Sequence, residues 1–232
     1  MNSWLLLSLL MGHVIGDFYL QSDKYCKQKE QLKIKSLFLY IHSIIVGLLS
    51  WLFVPFADFW TFALIICCTH LLIDTIKTYT RRGLWPFLID QFAHVSIICF
   101  VSCHYTQALS LPIQSMDFMD DFSIPLFAIS MLCCLKPANI LIKLVLEKYQ
   151  IGDSKSCESI KNAGALIGNL ERLLTMVFVL IGQYGAVGFI VAAKSLLRFK
   201  DTDTAKTEYV LAGTLLSFGI AIVLGLLTKL FF

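Results

Sequence analysis

The sequence predicts an all-α fold, a polytopic transmembrane bundle of about seven to eight spanning helices. Three observations carry that expectation. Hydrophobic residues make up 57% of the 232-residue chain and charged residues 15%, with a mean hydropathy of +0.75. So few charges cannot cover a soluble domain of this length, whereas a surface facing acyl chains needs no such cover. The apolar residues also gather into runs of about 20, the length that crosses a ~30 Å hydrocarbon core. No run alternates in polarity as a barrel strand would, and a helix satisfies its own backbone in lipid.

The runs fall at 3–21, 36–54, 58–79, 84–103, 123–146, 164–181, 184–199 and 208–230. The first lacks a basic leader and a small-residue cleavage site, so it reads as a permanent helix and not as a signal peptide. The next three complete an N-terminal four-helix half, residues 1–105, which holds all five histidines. An acidic, extracytoplasmic loop at 106–122 follows, with Asp117, Asp120 and Asp121. Residues 123–232 form a C-terminal helical membrane half whose seventh run is short.

Loop charge sets the expected orientation. Lys24, Lys27, Lys29, Lys33 and Lys35 follow the first run, and Lys77, Arg81 and Arg82 follow the third. Lys148, Lys155 and Lys161 lie between the fifth and sixth, and Lys200 and Lys206 between the seventh and eighth. The alternate loops, at 54–58, 104–122 and 182–184, carry no Lys or Arg. The basic side is therefore expected to be cytoplasmic, with both termini outside if there are eight spans. The run from Lys24 to Lys35 reads as a solvated loop facing lipid headgroups. A net charge of +3 is too small to suggest nucleic acid as a partner. The eight cysteines form no CxxC pair and read as small buried hydrophobes.

The chemistry-bearing residues sit within the apolar runs. His13 and Asp17 lie on the first, His70 and Asp74 on the third, and Asp90 and His94 on the fourth. A spacing of four places both side chains on one helical face, one turn apart. The order reverses to Asp-then-His on the helix that runs the other way. All three aspartates therefore lie nearer the cytoplasm, in a slab roughly 5–15 Å below the boundary at 1.5 Å per residue. His42 on the second run falls in the same slab. An unpaired aspartate inside a bilayer costs about 2.5–3.5 kcal/mol, so three at one depth imply pairing, hydration or a metal. Imidazole and carboxylate together suit a divalent metal: zinc first, then manganese or iron.

His13, Asp17, His70, Asp74, Asp90 and His94 are the expected ligands. Asp17 and Asp90 are the candidate general bases, and His42 and Gln91 are either further ligands or groups that orient one. In the C-terminal half, Arg172, Lys194 and Arg198 are candidates for holding an anionic group, with a Glu171–Lys194 or Glu171–Arg172 ion pair as the structural alternative.

The strings GHVIGDFYLQSD, HLLIDTIK and DQFAH resemble an uncharacterised family of bacterial inner-membrane proteins, domain of unknown function 3307, over roughly residues 3–105. GALIGNLERLL, AAKSLLRF and EYVLAGTLLS resemble the C-terminal half of its longer members. The resemblance implies an inner-membrane location and names no activity. A looser likeness to membrane-bound metal-dependent hydrolases implies a hydrolytic role.

The leading expectation is thus a membrane-embedded metal-dependent hydrolase acting on a lipid or lipid-linked substrate. A divalent metal-ion transporter is the main alternative, since His and Asp four apart on neighbouring helices would serve it too. The apolar outer halves of the first four runs favour a one-sided pocket over a transport path. A non-catalytic sensor or scaffold with a structural metal is the third reading. The sequence names neither the substrate nor the oligomeric state.

Overall fold

The computed structural model describes residues 3–54, 56–108, 122–149, 161–198 and 204–231. They are helix and turn, with no strand among them. The expected acidic loop at 106–122 lies almost wholly outside the described residues. The chain divides into two units, Met1–Ile129 and Ser130–Phe232.

In the first unit, α1 (Ser3–Val14) runs into a π-helical turn, Ile15–Tyr19. The chain then bends by 86° into α2 (Asp23–Leu32) and a short 3-10 turn. The first apolar run is therefore not one straight helix through residue 21. Next come α3 (Leu37–Leu52), α4 (Trp60–Thr78) and α5 (Leu84–Ala108). Each of these carries one buried stripe at helical spacing. On α4 the stripe is Ala63, Ile66, His70, Asp74 and Thr78, and on α5 it is Asp90, His94, Ile98, Val101 and Tyr105. At one end of the bundle the stripes are apolar, and Leu5, Leu9, Val46, Phe59, Ile66 and Val101 join in a core. At the other end the same stripes present His and Asp.

Two glycines set the helix spacing there. A Cβ on Gly47 would lie 2.7 Å from Cys67 Cβ, so α3 and α4 touch nearly backbone to backbone. A Cβ on Gly16 would lie 2.8 Å from Val46 Cγ2, which brings the π turn onto α3. Gly47→Ala is expected to push α3 from α4 and lower stability by about 1–3 kcal/mol, the usual cost of overpacking. A thermal melt in detergent reads it, and an unchanged Tm would mean that the close approach is not real.

In the second unit, α6 (Ser123–Cys134, reaching in from the first unit) and α7 (Lys136–Lys148) meet at a break at Leu135. Pro137 opens α7, where its missing N–H and its ring disfavour a continuous helix. α8 (Lys161–Leu180), α9 (Tyr184–Arg198) and α10 (Thr204–Lys229) complete the unit. Val179, Val187 and Phe218 pack together from these three helices. Arg172 on α8 is 2% exposed. It donates to the Cys134 carbonyl beside the break, to Ser217 on α10, and to Asn139 and Asn169.

Among the described residues, four stretches are long and apolar enough to cross a membrane: Ala57–Thr78, Leu84–Thr106, Ser123–Lys148 and Glu208–Lys229. The bent pair Ser3–Tyr19 with Lys24–Lys35 would make a fifth. These stretches bear out membrane-length helices but not the expected count of seven to eight; among the described residues the apolar helices Leu37–Leu52 and Tyr184–Leu196 are shorter. All seven described cysteines are free, but only Cys134 is buried and Cys68 is exposed. The reading of the cysteines as buried hydrophobes therefore holds for one of them.

Candidate metal centre

The polar ends of α1, α3, α4 and α5 converge within the first unit. His13 (α1), His42 (α3), His70 and Asp74 (α4), and Asp90 and His94 (α5) are all buried. Asp17, on the π turn, joins them with a side chain 7% exposed. The π turn closes through the Leu20 N–H to the Ile15 carbonyl, 3.0 Å. Its wider turn shifts Asp17 off the α-helical register that a spacing of four assumes, and such turns recur at functional sites.

Among the His and Asp side-chain atoms the shortest contacts run between helices. His70 Nε2 lies 3.1 Å from His42 Nε2. Asp17 Oδ1 lies 3.2 Å from His42 Nε2 and 3.4 Å from His70 Nε2. Asp74 Oδ2 lies 3.8 Å from His42 Nε2 and 4.0 Å from His70 Nε2. The pairs expected from spacing are longer, at 3.9 Å for His13–Asp17, 4.0 Å for His70–Asp74 and 3.8 Å for His94–Asp90. The members of the His13–Asp17 and His70–Asp74 pairs thus lie closer to partners on neighbouring elements than to each other, whereas His94 on α5 stays closest to Asp90.

Three overlapping triads place one ligand atom per residue within 4.8 Å of the others: His13–Asp17–His94, Asp17–His42–His70 and His70–Asp74–His94. His42, expected either to ligate or to orient, stands among the potential ligands. Gln91 touches three of the His and Asp residues: its Nε2 donates to Asp90 Oδ2 at 3.1 Å and lies 3.4 Å from Asp17 Oδ2, while its Oε1 lies 3.4 Å from His13 Nε2. Asp90 stands at the edge and belongs to no triad. Its Oδ2 accepts from Lys77, and its Oδ1 is buried with no hydrogen-bond partner. His94 Nδ1 lies 2.9 Å from the Asp90 carbonyl, while its Nε2 is buried and unpartnered. His104 lies away from the cluster in the α5 sequence, exposed and ring to ring with Phe100 at 4.3 Å.

Two lysines belong to the site that sequence reasoning left outside it. The Lys29 ammonium donates to Asp74 Oδ2 and is 7% exposed, so it is no solvated headgroup-facing residue. The 86° bend folds α2 against the polar end of the bundle, where Tyr25 stacks on Phe38 at 4.2 Å and Arg82 pairs with Glu30. Lys77 pairs with Asp90 while its side chain stays 39% exposed. The available signal for Lys77 was its place three residues beyond Asp74, one helical turn on.

The anion-holding candidates of the second unit have protein partners. Arg172 is engaged as described above, and Lys194 donates to Glu171. The Arg198 side chain lies outside the described residues.

An all-helical chain with membrane-length apolar helices and a buried His/Asp cluster is the class that these observations define. Residues 5–119, which carry the whole cluster, match the family described as Protein of unknown function (DUF3307). No curated protein and no solved structure matches the chain.

Proposed function

We propose that the chain is an integral protein of the cytoplasmic membrane that binds a divalent metal at the His/Asp cluster and hydrolyses a membrane-associated, anionic substrate. One observation carries the metal: His42 Nε2 and His70 Nε2 lie 3.1 Å apart, and Asp17 Oδ1 and Asp74 Oδ2 each lie within 3.2–4.0 Å of both. Four tetrahedral ligands at 2.0–2.1 Å from a zinc ion lie about 3.3 Å from one another. A cation among these atoms would satisfy their lone pairs together, in a buried site where unpaired polar groups are costly. Charge supports the same reading. Three carboxylates (Asp17, Asp74, Asp90) against two ammonium groups (Lys29, Lys77) leave one negative charge with the imidazoles neutral. A divalent ion reverses that sign and leaves room for one anion.

The exposed faces support insertion in lipid. Leu48, Leu52, Leu64, Leu72, Ile89 and Phe92 point outward from α3, α4 and α5, more apolar surface than a soluble monomer shows. The basic loops support a cluster on the cytoplasmic side, and the apolar core at the bundle's other end favours access from one side over a transport path. A bound divalent ion would polarise the scissile group and raise the acidity of water beside it. Asp17 and Asp74 serve as ligands. Asp90, with its unpartnered Oδ1, is the group left to take the proton from the attacking water and return it to the leaving oxygen. Lys77, half exposed at the rim, meets the anionic head.

The test is a panel of lipid phosphomonoesters, lipid diphosphates and phosphodiesters offered to the metal-loaded protein in mixed micelles. Hydrolysis of one class, with kcat lowered about 10²–10⁴-fold in Asp90→Asn at unchanged metal content, is the expected result. No hydrolysis across the panel, with metal uptake into proteoliposomes, would overturn it in favour of a transporter.

Lys29 tunes the same site. Its ammonium opposes the ion through Asp74, so Lys29→Gln is expected to tighten metal binding. For a divalent ion about 5 Å away, even the bulk-water limit of the Coulomb energy amounts to roughly tenfold. Competition titration against a chromophoric chelator measures it, and unchanged affinity would remove Lys29 from the site.

A further inference from the structure

Asp17 turns its two oxygens to two different sets of donors. Oδ1 faces His42 and His70 at 3.2 and 3.4 Å. Oδ2 lies 3.9 Å from His13 Nε2 and 3.4 Å from Gln91 Nε2. The first set is the metal position proposed above. On the second side, ligand atoms of His13, Asp17 and His94 lie within 4.8 Å of one another. The His13 and His94 ring centroids are 5.1 Å apart.

Two further observations point to an occupant there. His94 Nε2 is buried with no hydrogen-bond partner, on a side chain 3% exposed, while its Nδ1 is held by the Asp90 carbonyl. That arrangement fixes the ring and leaves the far nitrogen as a free ligand atom. His13, His70 and His94 also line a small cavity of ≈ 10 Å³, with Val46, Ile66, Thr69, Ile97 and Ile98 as its other walls. That is about the space of one water-sized sphere. Three imidazoles in that wall give an occupant several nitrogen partners at once.

We infer that the centre is dinuclear, with the Asp17 carboxylate bridging an ion held by His42, His70 and Asp74 and a second ion held by His13 and His94. The inference rests on the proposed metal site and extends it. A carboxylate using both oxygens suits ions about 3.5–4 Å apart, the separation of two-metal hydrolytic sites. Charge then narrows the ligand. Two divalent ions with three carboxylates and two ammonium groups leave three positive charges in a buried site, which a hydroxide and a dianionic phosphoryl group together neutralise. A phosphomonoester or diphosphate head is thus the substrate class that the dinuclear centre fits better than a carboxylic ester.

The experiment loads the chelator-stripped, detergent-purified protein with Mn²⁺ and reads both stoichiometry and the paramagnetic resonance spectrum. Two equivalents per chain and an exchange-coupled spectrum are expected for the wild type. One equivalent and an uncoupled spectrum are expected for His13→Ala and for His94→Gln. One uncoupled equivalent in the wild type would overturn the dinuclear centre and leave the mononuclear reading standing. So would wild-type stoichiometry retained in both variants. No bound Mn²⁺, or any other divalent metal, in the wild type would remove both readings together.

Discussion

Asp17→Ala is expected to abolish the rise in thermal stability that a divalent metal gives the wild-type protein. An ion at 1,000 times its Kd adds about 4 kcal/mol to the folded state. For a chain of this size that is a Tm shift on the order of 10 °C. Asp17 is the residue to remove because it belongs to two of the three triads and contacts three of the four clustered histidines. Its loss opens the cluster at a ligand shared by two triads, whereas Asp90→Asn touches only the edge and is expected to keep most of the shift. Differential scanning fluorimetry with and without metal measures both. A full shift in Asp17→Ala would show that the ion, if one binds, sits elsewhere.

Arg172→Met is expected to lower the stability of the second unit by about 2–4 kcal/mol. The guanidinium ties α7, α8 and α10 together through Asn139, Asn169 and Ser217, and it takes the Cys134 carbonyl at the helix break. Asn139 and Asn169 already bond one another at 2.9 Å and so keep part of their satisfaction. The Cys134 carbonyl loses this donor, and a buried acceptor left unmade costs about 1–3 kcal/mol. Arg172→Lys is expected to recover little, because one ammonium cannot match the planar fork that reaches all four partners. A melt of either variant at the wild-type temperature would show that the guanidinium is not a staple.

Helix class and the gathering of the His and Asp residues at one level were legible in the sequence because both depend on period within one helix. A spacing of four, reversed on the antiparallel helix, brings His13, His70 and His94 to one depth whatever the tertiary detail. What the sequence could not carry was geometry between helices. The short His42–His70 and His42–Asp17 contacts arise from the close approaches at Gly47 and Gly16, which no periodicity announces. The π turn was also hidden: GDF reads as ordinary helix, yet one extra residue in the turn re-aims Asp17 from its own helix toward α3 and α4. Lys29 was misread because charge runs are usually solvated, whereas here the 86° bend of a polar, amphipathic α2 buries one lysine of the run against Asp74. The same limit holds for Arg172. Its type suggested an anion site, and only the break at Leu135 reveals the carbonyl that it serves.

The central claim, a metal ion at the His/Asp cluster, is tested most directly by elemental analysis. The detergent-purified wild type, prepared without chelators and after metal add-back, is measured beside His70→Ala and Asp74→Ala. One or two equivalents of zinc, manganese or iron in the wild type, lost in both variants, is the predicted result. No stoichiometric metal in the wild type, or the same content in all three proteins, would contradict it and leave the cluster as buried His–Asp contacts holding four helices together.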